Sequence, residues 1–280
     1  MVTRTIMDHH DVNRFRSWFN AYCGTFLAGS DEEARQNYRL KQEHTEKVLI
    51  NSLRIAEGLS LGSSETALAE AVALFHDLGR FPQYRDHRTF RDSDSANHAA
   101  LGAQVLLEQN VLEGLSTPDR NMIVRAVALH NVFMLPAGID ERTLLHARIV
   151  RDADKLDIWR VFIEYFGMPE HERPTAAGLG LPDAPQCSPD VLAQLERRQM
   201  VKLESLRSLN DFKLLQLSWI YDLNFPPAFV LMRERQIIAR LSATLPATGQ
   251  VRAALEAVEG YADGRLPHAG GSASEKEKRP

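Results

Sequence analysis

The chain has 280 residues, 44% of them hydrophobic and 25% charged, with a formal net charge of −4. At about 150 residues per domain this length gives one or two domains, with a core large enough to need no disulfide or metal staple. The composition excludes collagen-like, mucin-like and wholly disordered chains, and the acidic balance argues against a stable nucleic-acid complex. The longest apolar runs, such as Ala71–Phe75, fall far short of the ~20 residues of a membrane helix, so no membrane partner is expected. The opening MVTRTIMDHHDVNRFRSWFN carries no apolar signal segment, and neither Cys23 nor Cys187 has a CxxC neighbour. These features point to a cytoplasmic protein with free thiols.

Along the chain, helical periodicity dominates. SETALAEAVALFHDLG, SANHAALGAQVLLEQN, PDRNMIVRAVALHN and TLLHARIVRDADKLDIWRVFIEYF all place apolar residues at three- and four-residue spacings. Ser64 is the expected cap of the first of these and Gly79 its end, with Pro82 just beyond. Pro118 suits a first helical turn, and Asn131 closes its helix before Pro136. Residues 79–95 (GRFPQYRDHRTFRDSDS) read as an irregular basic connection. The Pro- and Gly-rich stretch 167–190 reads as a long loop and a candidate lid. Helical pattern resumes over 191–265, and 267–280 reads as a disordered tail. The expectation is an all-α protein with one domain over 1–266.

One set of side chains stands apart: His44, the His76-Asp77 pair, His98, His130 and Asp154. His98 shares a helical face with Leu101, Gly102 and Val105, and His130 follows Ile123, Ala126 and Val127. Asp154 follows Val150 by one turn. Each therefore points inward, where a polar group must be satisfied. Imidazoles and carboxylates gathered in a helical core satisfy one another poorly without a cation. The donor set suits Mn, Fe, Co, Ni or Zn better than an oxygen-only Mg or Ca cage. The His76-Asp77 pair also lies at a helix C-terminus, whose negative dipole end favours a cation.

The order H…HD…H…H…D, with the strings ALFHDLGRFPQY, FRDSDSANHAALGAQVL, AVALHN and RDADKLDIWRVF, resembles the HD-domain superfamily of metal-dependent phosphohydrolases. The resemblance runs over about 40–165 and implies an HD helical core with additional N- and C-terminal helices. It implies that His44, His76, Asp77 and Asp154 hold one divalent metal. In two-metal subfamilies His98 and His130 join them, with Asp77 bridging the ions. Asn131 follows His130 and no GYP occurs, which departs from the cyclic-di-GMP phosphodiesterases; no receiver, PAS or synthetase pattern accompanies the core.

The implied chemistry is attack of a metal-bound hydroxide on the phosphorus of a nucleotide or other small phosphate, with Asp77 and Arg80 as catalytic residues. Arg80 aligns with the Lys or Arg that HD hydrolases use on the phosphate. Arg85, Arg88 and Lys155 are further candidate substrate contacts, with Arg91 in the same basic loop. Asp157 and Asn131 are candidates to orient the metal ligands. Phe81, Tyr84 and Phe90 either stack on a base or plug the core edge. Two other activities share the ligand set: a di-iron oxygenase of the HD type and a nucleotide-binding module without turnover. The GxSxG match at 58–62 follows a helix rather than a strand, so it is not a nucleophile elbow. His9, His10, His87, His146, His171 and His268 belong to no partner pattern. Oligomeric state is left open.

Overall fold

A computed structural model describes residues 7–169 and 180–267. The protein is all-α, with no strand among the described residues. No helix of the described residues is long and apolar enough to cross a membrane. The chain divides into two compact units. One comprises the described residues up to 169 together with Asp222–Ala228, and the other comprises 180–221 and 229–267.

The first unit holds α1 (His9–Leu27), α2 (Glu32–Gly58), α3 (Ser63–Phe75), α4 (Arg80–His87), α5 (His98–Glu108), α6 (Thr117–Leu129) and α7 (Glu141–Gly167). Side-chain caps start most of them. Asp8 and Asp11 form a capping box on α1, and Asp31, Asn97, Ser116 and Asp140 accept backbone N–H groups at the starts of α2, α5, α6 and α7. These bonds satisfy donors that have no partner within the helix. The expected cap Ser64 lies inside α3, whose N-cap is Gly62 without a side-chain bond. Pro118 does sit in the first turn of α6.

Every residue of α3 from Ala67 to Phe75 is buried, so this helix is the axis of the unit, packed by α1, α2, α6 and α7. A helix covered all round needs apolar residues all round, which is what the run Ala71–Phe75 supplies. Past α3 the chain departs from the sequence expectation. Residues 80–87 form α4 rather than an irregular connection, because Gly79 keeps helical angles and Pro82 falls in the first turn, where a missing N–H costs nothing. Left-handed Arg88 (φ 54°) ends it.

Gly79 itself is dictated by packing. A Cβ there would lie 2.0 Å from the His98 carbonyl oxygen and 2.6 Å from the Gly102 backbone nitrogen. The first turn of α5 thus rests directly on the backbone after the His76-Asp77 pair, which brings His98 beside Asp77. Phe81, fully buried, stacks at 5.8 Å on Tyr38 and meets Phe19, Tyr22 and Phe26 edge-on or tilted. It plugs the core, as does Tyr84, whose hydroxyl is held by Asn37.

The second unit holds α8 (Pro189–Glu196), α9 (Leu209–Ser218), α11 (Ile237–Ser242) and α12 (Gly249–Asp263). α10 (Pro226–Glu234) carries the chain from Asp222–Ala228 back into it. Its polar anchor is buried Asp211, which accepts from the Ser188 backbone and hydroxyl and from the Arg207 backbone. Within 167–190, residues 180–188 have no helix, while 170–179, with His171, lie outside the described residues. So does the tail beyond Pro267, with His268.

Candidate metal centre

The six residues come from five places in the fold. His44 lies in the middle of α2, His76 and Asp77 in the turn after α3, His98 at the start of α5, His130 just past α6, and Asp154 in the middle of α7. All are buried except Asp154, whose side chain is 17% exposed and marks the open side of the cluster.

Two groups share one carboxylate. Asp77 Oδ2 faces His44 Nε2 at 3.6 Å and His76 Nε2 at 3.8 Å, while Asp77 Oδ1 faces His98 Nε2 at 3.3 Å and His130 Nε2 at 3.8 Å. Asp154 Oδ1 joins the first group, 3.0 Å from His44 Nε2 and 3.8 Å from His76 Nε2. His44, His76 and Asp77, and separately Asp77, His98 and His130, each bring ligand atoms close enough to hold one ion.

The outward nitrogens are all committed. His76 Nδ1 and His130 Nδ1 donate to the carbonyls of Ala73 and Val127 at 2.7 and 2.8 Å. His44 Nδ1 donates to Asp157 at 2.7 Å, and His98 Nδ1 to both oxygens of Asp92 at 2.8 Å. A neutral imidazole protonated at Nδ1 presents a lone pair at Nε2. All four Nε2 atoms therefore turn toward the carboxylates, and His98 Nε2 and His130 Nε2 face each other at 3.0 Å. Such a cage has acceptors and almost no donors, so its chemistry fits divalent cations.

The proton affinities of His76 and His130 agree, whereas His44, without a cation, keeps a proton between its Nε2 and Asp154. Burial, then the neighbouring His98, pushes His130 down to about 3, and burial also lowers His76. For His44 burial pulls downward, but hydrogen bonds to Asp154 and Asp157 outweigh it and lift the ring to about 9. Burial would raise Asp77, yet the Lys41 ammonium, His76 and Arg80 hold it well below the ordinary carboxylate range. For Asp92 the hydrogen bond with His98 overcomes burial, leaving it at about 2.

Two cations bracket Asp77. Lys41 Nζ lies 3.0 Å from Oδ2 and Arg80 Nε 3.4 Å from Oδ1, both partly exposed, and both pass over the Phe90 ring at 5.1 and 6.0 Å. Arg80 Nη1 is held by Gln83 Oε1, the Phe90 carbonyl and Asp92. Its Nε is a buried donor without a hydrogen-bond partner. Asn131 donates to Asp92 at 3.0 Å and so stands behind His98, while Asp157 stands behind His44 and is itself gripped by Arg160 Nε at 2.7 Å.

The other expected cations each have an acidic partner. Arg85 and Arg88 are exposed and pair with Asp86 and Asp31, Arg91 lies near Asp94, and Lys155 pairs with Asp222 at 2.6 Å. His146 belongs to a separate network, with Glu65 at 2.7 Å. The sequence reading did not single out Lys41, Gln83, Asp92, Arg151 or Arg160. Lys41 alone left a local signal, one helical turn before His44.

The fold and the site thus define a helical domain with a candidate metal centre. Residues 42–159 match the HD domain family, a superfamily of metal-dependent hydrolase type whose members bind divalent metals, and the His/Asp clusters are compatible with an HD metal site. No curated protein and no solved structure matches the chain.

Proposed function

We propose that the protein is a phosphohydrolase cleaving a phosphomonoester or phosphodiester bond of a nucleotide or related small phosphate. In this reading it uses two divalent transition-metal ions, drawn from Mn, Fe, Co, Ni and Zn. One is held by His44, His76, Asp77 and Asp154, the other by Asp77, His98 and His130. The observation that carries the reading is the division of the Asp77 oxygens between two histidine pairs whose Nδ1 atoms are already bonded.

When bound, such a pair of ions supplies an activated water and neutralises phosphoryl charge. The chain supplies the positioning. Asp157 and Asp92 fix the tautomers of His44 and His98 and hold their rings in place. Lys41 and Arg80, both partly exposed, flank Asp77, where they can take phosphoryl oxygens. Arg80 and Lys41 touch Asp77 and so carry the reading among the cations, while Arg85, Arg88 and Lys155 pair with Asp86, Asp31 and Asp222. These paired cations also favour an anionic phosphate over the dioxygen chemistry of the oxygenase alternative.

The test is phosphate release from a panel of nucleotides and small phosphoesters. The protein is stripped and reloaded with each metal in turn, and Asp77→Ala serves as control. Metal-dependent release that disappears in the control is expected. Oxygen uptake by the iron-loaded protein without phosphate release would select the oxygenase, and tight nucleotide binding without product the binding module.

A further inference from the structure

We infer that Asp222–Ala228, a segment outside the HD match, sets the His98–His130 half of the centre, with Arg151 as the positioning residue. The inference rests on the two-centre reading above. His130 lies just past the end of α6, where backbone carbonyls have no partner within the helix. Arg151 on α7, only 3% exposed, supplies the missing donor. Its Nη1 donates to the carbonyls of His130 at 3.0 Å and Val132 at 2.5 Å. The same guanidinium is held from its other nitrogen by Asp222 Oδ2 at 2.6 Å.

Asp222 is fixed in turn. Lys155 reaches the same oxygen at 2.6 Å. Fully buried Asp152, one residue past Arg151, accepts from the backbone of Asn224 and Phe225 and from the Asn224 amide. Pro227 lies so close to Gly58 that a Cβ on that glycine would approach its ring to 2.6 Å. The first glycine of the GxSxG look-alike is therefore a seat for this segment. The segment is thus fastened to both α7 and the end of α2, and Asp222 orients Arg151 on the backbone that carries His130.

The influence is one-sided. His44 and His76 do not touch Arg151; His44 is held through Asp157 and Arg160. Loss of Asp222 leaves a buried guanidinium without its counter-charge. The guanidinium then no longer fixes the His130 carbonyl, and the ion shared by Asp77, His98 and His130 is the one that suffers.

The full chain, stripped and titrated with Co(II), reads this directly through equilibrium dialysis and the cobalt absorption spectrum. We expect two ions in the wild type. In Asp222→Asn one ion should bind about ten-fold more weakly or worse, the usual cost of losing an outer support of a metal ligand, with the other unchanged. His98→Ala removes the affected centre beforehand, so adding Asp222→Asn to it should leave the affinity of the remaining ion unaltered. Arg151→Lys keeps the charge opposite Asp222 but loses the grip on both carbonyls; it should show the same selective loss and serves if Asp222→Asn does not fold. Equal weakening of both ions, further loss in the His98→Ala background, or no change in either variant would overturn the inference. A wild type that binds a single ion would instead remove the two-centre reading, and this inference with it.

Discussion

At the scale of single residues, Asp77 and the four histidines are not equivalent. Asp77 spends one oxygen on each histidine pair, whereas His98 and His130 serve one group only. Asp77→Ala is therefore expected to take bound metal toward none, while His98→Ala or His130→Ala takes it from about two ions per chain toward one, as metal analysis after dialysis will show. Lys41 gives a second test. It touches Asp77 but offers no lone pair to a metal in its charged form, so Lys41→Met should leave metal content intact. Competition by inorganic phosphate in the activity assay should then weaken about ten-fold or more, since a hydrogen bond to a charged group contributes about 1.5–3 kcal/mol. A loss of metal in Lys41→Met would assign that lysine to the support of Asp77 instead.

At the scale of elements, the contact between α5 and the turn after α3 decides whether the histidines meet. Gly79→Ala puts a methyl into the His98 carbonyl and the Gly102 nitrogen, backbone atoms that cannot swing aside. We expect a loss of about 1–3 kcal/mol or more in urea unfolding, the range for overpacking a tight interior, together with weaker binding of the His98-side ion. α3 is tied to α7 at its other end, where Glu65 meets His146 at 2.7 Å and Arg142 at 2.9 Å. The His146 hydrogen bond and the Arg142 charge outweigh partial burial and lower the Glu65 carboxyl from 4.5 to about 2. A carboxyl depressed in the folded state stabilises the fold above its unfolded pKa, and that stabilisation is lost as pH falls through the folded value. Between pH 4.5 and 2 the melting temperature of the wild type should therefore fall more steeply than that of Glu65→Gln. Parallel curves would mean that the pair does not contribute.

At the scale of the whole molecule, the HD match ends at 159, but the unit that contains it also needs Asp222–Ala228. A chain stopped after residue 169 would leave Arg151 and Lys155 without Asp222 and Asp152 without its three donors. Uncompensated buried charges cost about 3–5 kcal/mol each, comparable to the whole stability of a small domain. The truncated chain should show no cooperative urea transition, while the full chain should show one. The sequence by itself determined the helices, because a period of 3.6 residues is written into neighbouring positions. It also determined which six polar residues turn inward, because His98, His130 and Asp154 share a face with apolar neighbours one turn away. It misread 80–87, where Pro82 looked like a stop and is a first-turn residue. Asp157 and Asn131 were already candidate supports in the sequence, but only the tertiary structure decided which ligand each stands behind, and added Asp92 for His98 and Arg151 for the His130 backbone. Asp222 lies 71 residues from Arg151 and Asp157 lies 113 from His44. Helical periodicity fixes which way a side chain faces, but which distant element it meets there depends on how the helices pack, and that is settled only when the chain folds.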